Sequence, residues 1–175
     1  MPAAARAKEI LHYATIPGPL GPLLLAASAR GLTTLHFARD SSFPPRSEHY
    51  SWIESPPHLA RYAAQLAEYF AGNRRNFDLP LDLRGTDFQL RCWRELLRIP
   101  YGQTRSYAKL AHAAGAPAAV RAVGAANGAN PIAIIVPCHR VIASNGTLHG
   151  YGGGLDAKAF LLRLEGALGQ DQLHF

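Results

Sequence analysis

Glycine and proline cut this chain into short pieces, and that punctuation restricts it to a fold built from small elements. Breaks fall at Pro17-Gly18-Pro19, Pro56-Pro57, Gly72, Pro100-Tyr101-Gly102, Gly115, Gly128, Asn130-Pro131, Asn145-Gly146 and Gly166. No apolar run between them is long enough to span a bilayer. At 175 residues the chain can hold one domain or two small ones.

The first third reads as β-structure followed by one helix. Ile10 to Ile16, Leu23 to Ala27 and Leu32 to Phe37 are candidate strands, the last two joined through Arg30-Gly31. Residues 40–57, rich in Ser, Pro and charge, read as a loop. Pro56-Pro57 then opens a helix whose inward face is Leu59, Tyr62, Ala63, Leu66 and Phe70. Residues 1–83 are therefore expected to form a small α/β domain with an antiparallel sheet, with 73–85 as the linker. Residues 84–175 form the second domain, and the class is α+β.

That second part is a run of short helices. Thr86 and Gln89 have capping-box spacing, and Phe88, Cys92, Trp93 and Leu96 follow on one face, which makes Cys92 a core residue. Ser106 can cap a helix from Tyr107 to Ala114. Pro117 suits the first turn of another, running to about Asn127. Two short helices joined by a tight Gly turn are the helix-turn-helix pattern. The second helix is alanine-rich around one long cation, Arg121, which reads equally as a groove-facing probe or as a core helix whose arginine reaches solvent. Ile132 to Val136 reads as a buried strand, with Val141-Ile142 a candidate partner, and Asp156 as the cap of a last helix ending at Gly166. The tail after Gly169 carries no pattern.

At the exit of the Ile132–Val136 run, Pro137 is followed by Cys138, His139 and Arg140. A lone cysteine there is commonly a small buried core residue. Two potential cations beside it instead favour the thiolate, the reactive form of a thiol whose free pKa is about 8.5. Two cysteines make neither a disulfide framework nor, with the scattered histidines, a metal cluster. A working thiol fits a reducing, cytoplasmic compartment. The net charge of +6 is concentrated: residues 84–140 hold eight Lys and Arg against only Asp87 and Glu95. Such a patch is the footprint of a phosphate-backbone binder, or a solvated basic face.

Residues 86–166 resemble the C-terminal domain of the O6-alkylguanine-DNA alkyltransferases (methylated-DNA–protein-cysteine methyltransferases), bacterial type. The resemblance is carried by Pro100-Tyr101-Gly102, Ser106-Tyr107, Arg121-Ala122-Val123-Gly124, Asn130-Pro131, Pro137-Cys138-His139-Arg140-Val141, Gly152-Gly153-Gly154-Leu155 and Leu162-Arg163-Leu164-Glu165-Gly166. It implies a helical, winged helix-turn-helix-like domain that binds DNA and carries the active site. It further implies single-turnover, irreversible transfer of the alkyl group from O6-alkylguanine, and from O4-alkylthymine as a further candidate, to Cys138. His139, through a water, would take the thiol proton and Glu165 would hold the imidazole. Tyr107 would donate to the base, and Asn130 would order the turn carrying the cysteine. The Gly152 N–H would face the guanine oxygen, and the carbonyls of Cys138 and Val141 would accept from the exocyclic amine. Arg121 would fill the space of a flipped base with its helix in the minor groove, and Ser106, Ala122 and Arg140 would join the DNA-facing set. The implied partner is double-stranded DNA bound by a monomer, with no metal, cofactor or membrane. His149 stands where the family has a small or hydroxyl side chain lining the pocket, and with the Gly152–Gly154 run it predicts an altered tolerance for bulky alkyl groups.

Two other readings fit parts of the chain. A lesion-sensing DNA-binding protein without transfer chemistry would share the helix-turn-helix and the basic third, but would not need Cys138, His139 and Glu165 together. A cysteine hydrolase would want an oxyanion hole and a histidine from elsewhere in the chain.

Overall fold

A computed structural model describes residues 7–38 and 47–168. Residues 1–6, residues 39–46 at the start of the Ser/Pro-rich loop, and residues 169–175 of the tail lie outside the described residues.

Four strands form one sheet: β1 (Glu9–Ile16), β2 (Leu23–Ser28), β3 (Gly31–Phe37) and β4 (Tyr50–Glu54), in the order β3-β2-β1-β4. The first three are antiparallel, as the turn signals require. β4 runs parallel to β1, from Glu9 opposite Tyr50 to Tyr13 opposite Glu54. The sheet is therefore mixed, which corrects the expectation of an antiparallel one. β4 lies inside the stretch read as loop, because an edge strand exposed on one side needs no apolar alternation. α1 (Pro56–Phe70) packs on the sheet with Leu59, Tyr62, Leu66 and Tyr69 inward. Phe70, expected on that face, is only half-buried, and Tyr69 takes the interior position.

The second half supplies α2 (Asp87–Leu96), a two-residue strand β5 (Arg105–Ser106), α3 (Tyr107–Ala113), α4 (Val120–Gly128), β6 (Val141–Ile142) and α5 (Leu155–Leu164). The capping box is formed: Gln89 N–H donates to Thr86 Oγ1 while Thr86 N–H donates to the Gln89 side chain. Ser106 Oγ caps α3 by accepting from Lys109 N–H. α4 starts at Val120 rather than Pro117. α5 is preceded by Gly154, with no side-chain cap, and Asp156 sits inside its first turn. β6 pairs in parallel with β5, not with the apolar run before Cys138.

That run is not a strand. Ile132 makes a single bridge to Leu35, and Ile134 has a φ of 71°. A β-branched residue in that region is held there only by its surroundings. The backbone folds on itself through Val136 N–H to Ile132 O at 3.0 Å and Cys138 N–H to Val136 O at 2.8 Å. Its five apolar side chains are buried on all sides, which gives the continuous apolar pattern of an inner strand without the strand. β3 anchors it: Leu35 N–H donates to Pro131 O at 2.9 Å, and Ala133 N–H returns a bond to Leu35 O at 2.8 Å.

One hydrophobic core therefore runs from the sheet through Trp93, Leu110 and Val123 to Leu161 of α5, with Cys92 wholly inside it. Among the described residues no helix is long and apolar enough to cross a membrane. Leu35→Ala should cost about 3 kcal/mol of unfolding free energy, the range for a buried leucine left as a cavity. Urea unfolding would read this as a lower midpoint with an unchanged slope.

Candidate active site

Cys138 begins a single 3-10 turn, Cys138–Arg140, between the folded apolar run and β6. Asn130 braces it. Its Nδ2 donates to Val136 O at 2.8 Å and lies 3.1 Å from Cys138 Sγ, and its Oδ1 accepts from Ile132 N–H at 3.0 Å. Asn127 Nδ2 approaches the Cys138 carbonyl at 3.5 Å. Cys138 is only 5% exposed. Burial pushes its pKa up, against the Asn130 hydrogen bond and the charge of Lys158. At rest it is therefore a thiol, and its use as a nucleophile requires a base.

His139 is that candidate base. Its ring is fully buried, and Nε2 lies 2.9 Å from Glu165 Oε1. With Nε2–H donating to the carboxylate, Nδ1 carries the free lone pair, and among the described residues it has no hydrogen-bond partner. Burial lowers the imidazole pKa and outweighs the opposing pull of Glu165, so the ring is neutral. Glu165 stands just past the end of α5. Burial works to raise its pKa, but hydrogen bonds from His139 and Arg140, with the guanidinium charge, hold it at about 2. A carboxylate at the negative end of a helix is disfavoured by the dipole, and these donors are what keep it there.

Arg140, expected on the DNA-facing side, is instead buried and turned inward. Its Nε donates to Glu165 Oε2 at 2.8 Å, one terminal nitrogen to Oε1 at 2.9 Å, and the other to Ile99 O at 2.6 Å. Sequence reasoning missed three further residues. Tyr69 of α1 donates to Glu165 Oε1 at 2.7 Å. Lys158, fully buried in α5, donates to Val141 O at 2.6 Å and His149 O at 2.8 Å, and burial pushes its ammonium down to about 8. Tyr151 packs edge-on to the His139 ring. A lysine among the apolar positions of the last helix was the legible signal for Lys158. For Tyr69 the signal was only its i+3 spacing from Leu66.

A cavity of about 170 Å³ opens beside Cys138, lined among others by Asn130, Tyr151, Gly152, Gly153 and Phe37. Gly153 is required there: a Cβ would stand 2.5 Å from the Phe37 ring. His149 does not line the cavity. Its ring pairs with Thr147 Oγ1, and its carbonyl accepts from Tyr107 Oη at 3.3 Å as well as from Lys158. Tyr107 thus closes the back of the loop rather than the cavity itself. The Val141 carbonyl already serves Lys158 and keeps one lone pair for a second donor. Arg121 and Ala122 are exposed on α4, with Val120 beside them, while Val123, Ala126 and Asn127 face inward. Among the described residues no group of three or more His, Cys, Asp or Glu could hold a metal.

Comparison with known proteins identifies the family. Residues 11–83 match the 6-O-methylguanine DNA methyltransferase, ribonuclease-like domain, and residues 87–167 match the DNA binding domain of the same family. The methylated-DNA–protein-cysteine methyltransferase of Mycobacterium tuberculosis is 53% identical over 156 residues, 89% of this chain and 93% of that protein. Its counterpart in Methanosarcina acetivorans is 47% identical over 90% of this chain and 99% of its own. The crystal structure of the M. tuberculosis O6-methylguanine methyltransferase superposes with a TM-score of 0.80 at 51% identity, over 93% of this chain and 96% of that one. The M. tuberculosis protein in complex with DNA superposes with a TM-score of 0.79 at 52% identity, over 89% and 93%. With both domains matched in order and half the residues identical, the chain belongs to the 6-O-methylguanine DNA methyltransferase family, the methylated-DNA–protein-cysteine methyltransferases that repair O6-methylguanine in DNA.

Proposed function

We propose that this chain repairs O6-alkylguanine in duplex DNA by moving the alkyl group onto Cys138, once per molecule. The observation that carries this reading is a buried thiol beside a neutral, carboxylate-held imidazole whose free nitrogen has no protein partner. In the step, Cys138 sulfur forms a bond to the alkyl carbon as the carbon–O6 bond breaks. His139 takes the thiol proton through a water, and the same proton is passed on to the guanine, so the base is left neutral and His139 returns to its neutral form. The product is a thioether, a poor leaving group, so the transfer is irreversible and needs no cofactor. O4-alkylthymine presents the same activated oxygen–carbon bond and is the second candidate substrate.

Asn130 holds the thiol at the cavity mouth. The Gly152 N–H serves the guanine oxygen, while the Cys138 and Val141 carbonyls serve the exocyclic amine. Tyr107 acts on the base through the loop it closes. A paired base cannot reach a site this buried, and flipping costs a few kcal/mol. Arg121, exposed with Ala122 on α4, fills the vacated stack from the minor groove, and Ser106 lies at the start of the neighbouring helix. Contacts of this kind position the protein without reading sequence, which suits a lesion that arises anywhere. The chain acts as a monomer, and the reduced cytoplasm keeps the thiol intact.

Mass spectrometry after mixing the protein with excess duplex carrying one O6-methylguanine should show one added methyl, on the peptide containing Cys138, saturating at one per chain. Cys138→Ser should show none. Lesion-selective binding with no mass change in the wild type would replace this reading with that of a sensor. Arg121→Ala should slow single-turnover repair of the same duplex about 100-fold, the rate equivalent of the unstacking energy no longer offset. An unchanged rate constant would remove Arg121 from base flipping.

A further inference from the structure

Glu165 is more crowded than its proposed task requires. A carboxylate offers about four lone-pair sites. Five donors converge here: the Arg140 Nε and Gly102 N–H on Oε2, and His139 Nε2, Tyr69 Oη and the second Arg140 nitrogen on Oε1. The Tyr69 contact is the outlier. It comes from α1, 96 positions away in sequence, is 2.7 Å long, and both side chains are buried. No packing requirement calls for a hydroxyl at that place. The ring already contacts Phe70, Phe77 and Tyr101 edge-on or tilted, and phenylalanine would fill the same space.

We propose that Tyr69 is a positioning residue for the transfer, its phenol sharing Glu165 Oε1 with His139 so that the first half of the chain sets the basicity of the imidazole. The inference rests on the reading of His139 as the base for Cys138. A donor on Oε1 draws negative charge away from the His139 contact. The less charge that oxygen presents, the less the imidazolium is favoured, and the more of the ring is neutral and able to accept a proton. Tyr69 is suited to this because it stays protonated: burial, then the neighbouring Glu165 charge, raise its pKa. The other groups facing the pair are fixed. Arg140 lies in the 3-10 turn beside Cys138. Tyr101 donates to Leu164 O and carries Arg75 over its ring. Lys158 is on α5, and Tyr151 comes from the glycine-rich loop.

The sign follows from the geometry. Removing the hydroxyl returns charge to the Oε1–His139 contact, so the His139 pKa rises. The acid limb of the transfer rate against pH, which reports neutral His139, then moves to higher pH. The test is single-turnover methyl transfer from an O6-methylguanine duplex between pH 5 and 9, for wild type, Tyr69→Phe and Tyr62→Phe. Tyr62 is the matched control. It lies on the same face of α1 and donates to Pro80 O at 3.3 Å, away from the site. Tyr69→Phe should move the acid limb up by about half a pH unit, and below the limb transfer should slow about threefold. At the alkaline plateau the two rates should agree within about twofold. Tyr62→Phe should reproduce the wild-type limb.

A Tyr69→Phe limb superimposed on wild type, or a uniform loss at every pH, would overturn the proposal. If Tyr69→Phe does not fold, the same question is put to the intact chain. Incorporating 3-fluorotyrosine, a more acidic donor, should lower the His139 titration midpoint read by imidazole NMR, and an unmoved or raised midpoint overturns the proposal. Failure of the wild type to accept a methyl group at all is a different result, and it removes the transfer reading itself.

Discussion

The structure turns on one buried carboxylate. Taking an ion out of water costs several kcal/mol, and a protein interior accepts it only where its lone pairs are filled. Glu165 meets that condition with donors from three separate places: α1, the turn before α3 and the 3-10 turn that carries Cys138. None of these segments is adjacent to another in sequence. The same charge that orients His139 therefore also fastens the two halves of the chain together. Of the five donors only Tyr69 comes from the first half; the other four, from Gly102, His139 and Arg140, belong to the second half, so the Tyr69 bond is the link between them.

The backbone before Cys138 shows the second consequence. An extended strand there would carry the cysteine away from Asn130. The chain instead turns back through Ile134 in a left-handed conformation, and Val136 and Cys138 bond within the segment. β3 holds this shape from outside through Leu35, and Phe37 at the end of the same strand forms part of the cavity wall. The sheet of the first half is thus a template for the loop of the second. This gives that half a role in the chemistry although none of its residues belongs to the cysteine motif.

What was legible in the sequence follows the kind of interaction involved. The capping box at Thr86, the Ser106 cap, the stop at Gly166 and the inward face of α2 depend on residues three or four apart, and they were read correctly. The run from Ile132 to Val136 was read correctly as buried and wrongly as a strand. Apolar continuity reports burial on all sides and says nothing about where the backbone hydrogen bonds go. β4 was missed because an exposed edge lacks that continuity. At the site, Cys138 with its cationic neighbours His139 and Arg140 stood out in the residues themselves, while the roles of His139 and Glu165 came from a resemblance. The geometry that places Glu165 on His139, together with the parts played by Tyr69, Lys158 and Arg140, depends on contacts many positions apart that no local pattern encodes. Arg140 was placed with the DNA-facing residues by the resemblance, and its burial on Glu165 reverses that.

The same correction narrows the electrostatic footprint. Of the eight cations counted between residues 84 and 140, Arg84 is engaged by Glu9 and Asp82, Arg98 by Glu95, and Arg140 by Glu165. The other five, Arg91, Arg94, Arg105, Lys109 and Arg121, have no ion pair among the described residues. Counterion release scales with the phosphates neutralised rather than with net charge. A cation already neutralised by a carboxylate contributes little to it. All five lie on the half of the chain that also carries Cys138: Arg91 and Arg94 on α2, Lys109 on α3, Arg121 on α4 and Arg105 immediately before the Ser106 cap, with Arg91 leaning over Phe88. The basic third read from the sequence therefore divides into an unpaired set free to meet phosphate, two arginines already held by carboxylates, Arg84 and Arg98, and a buried arginine that serves the carboxylate behind the thiol.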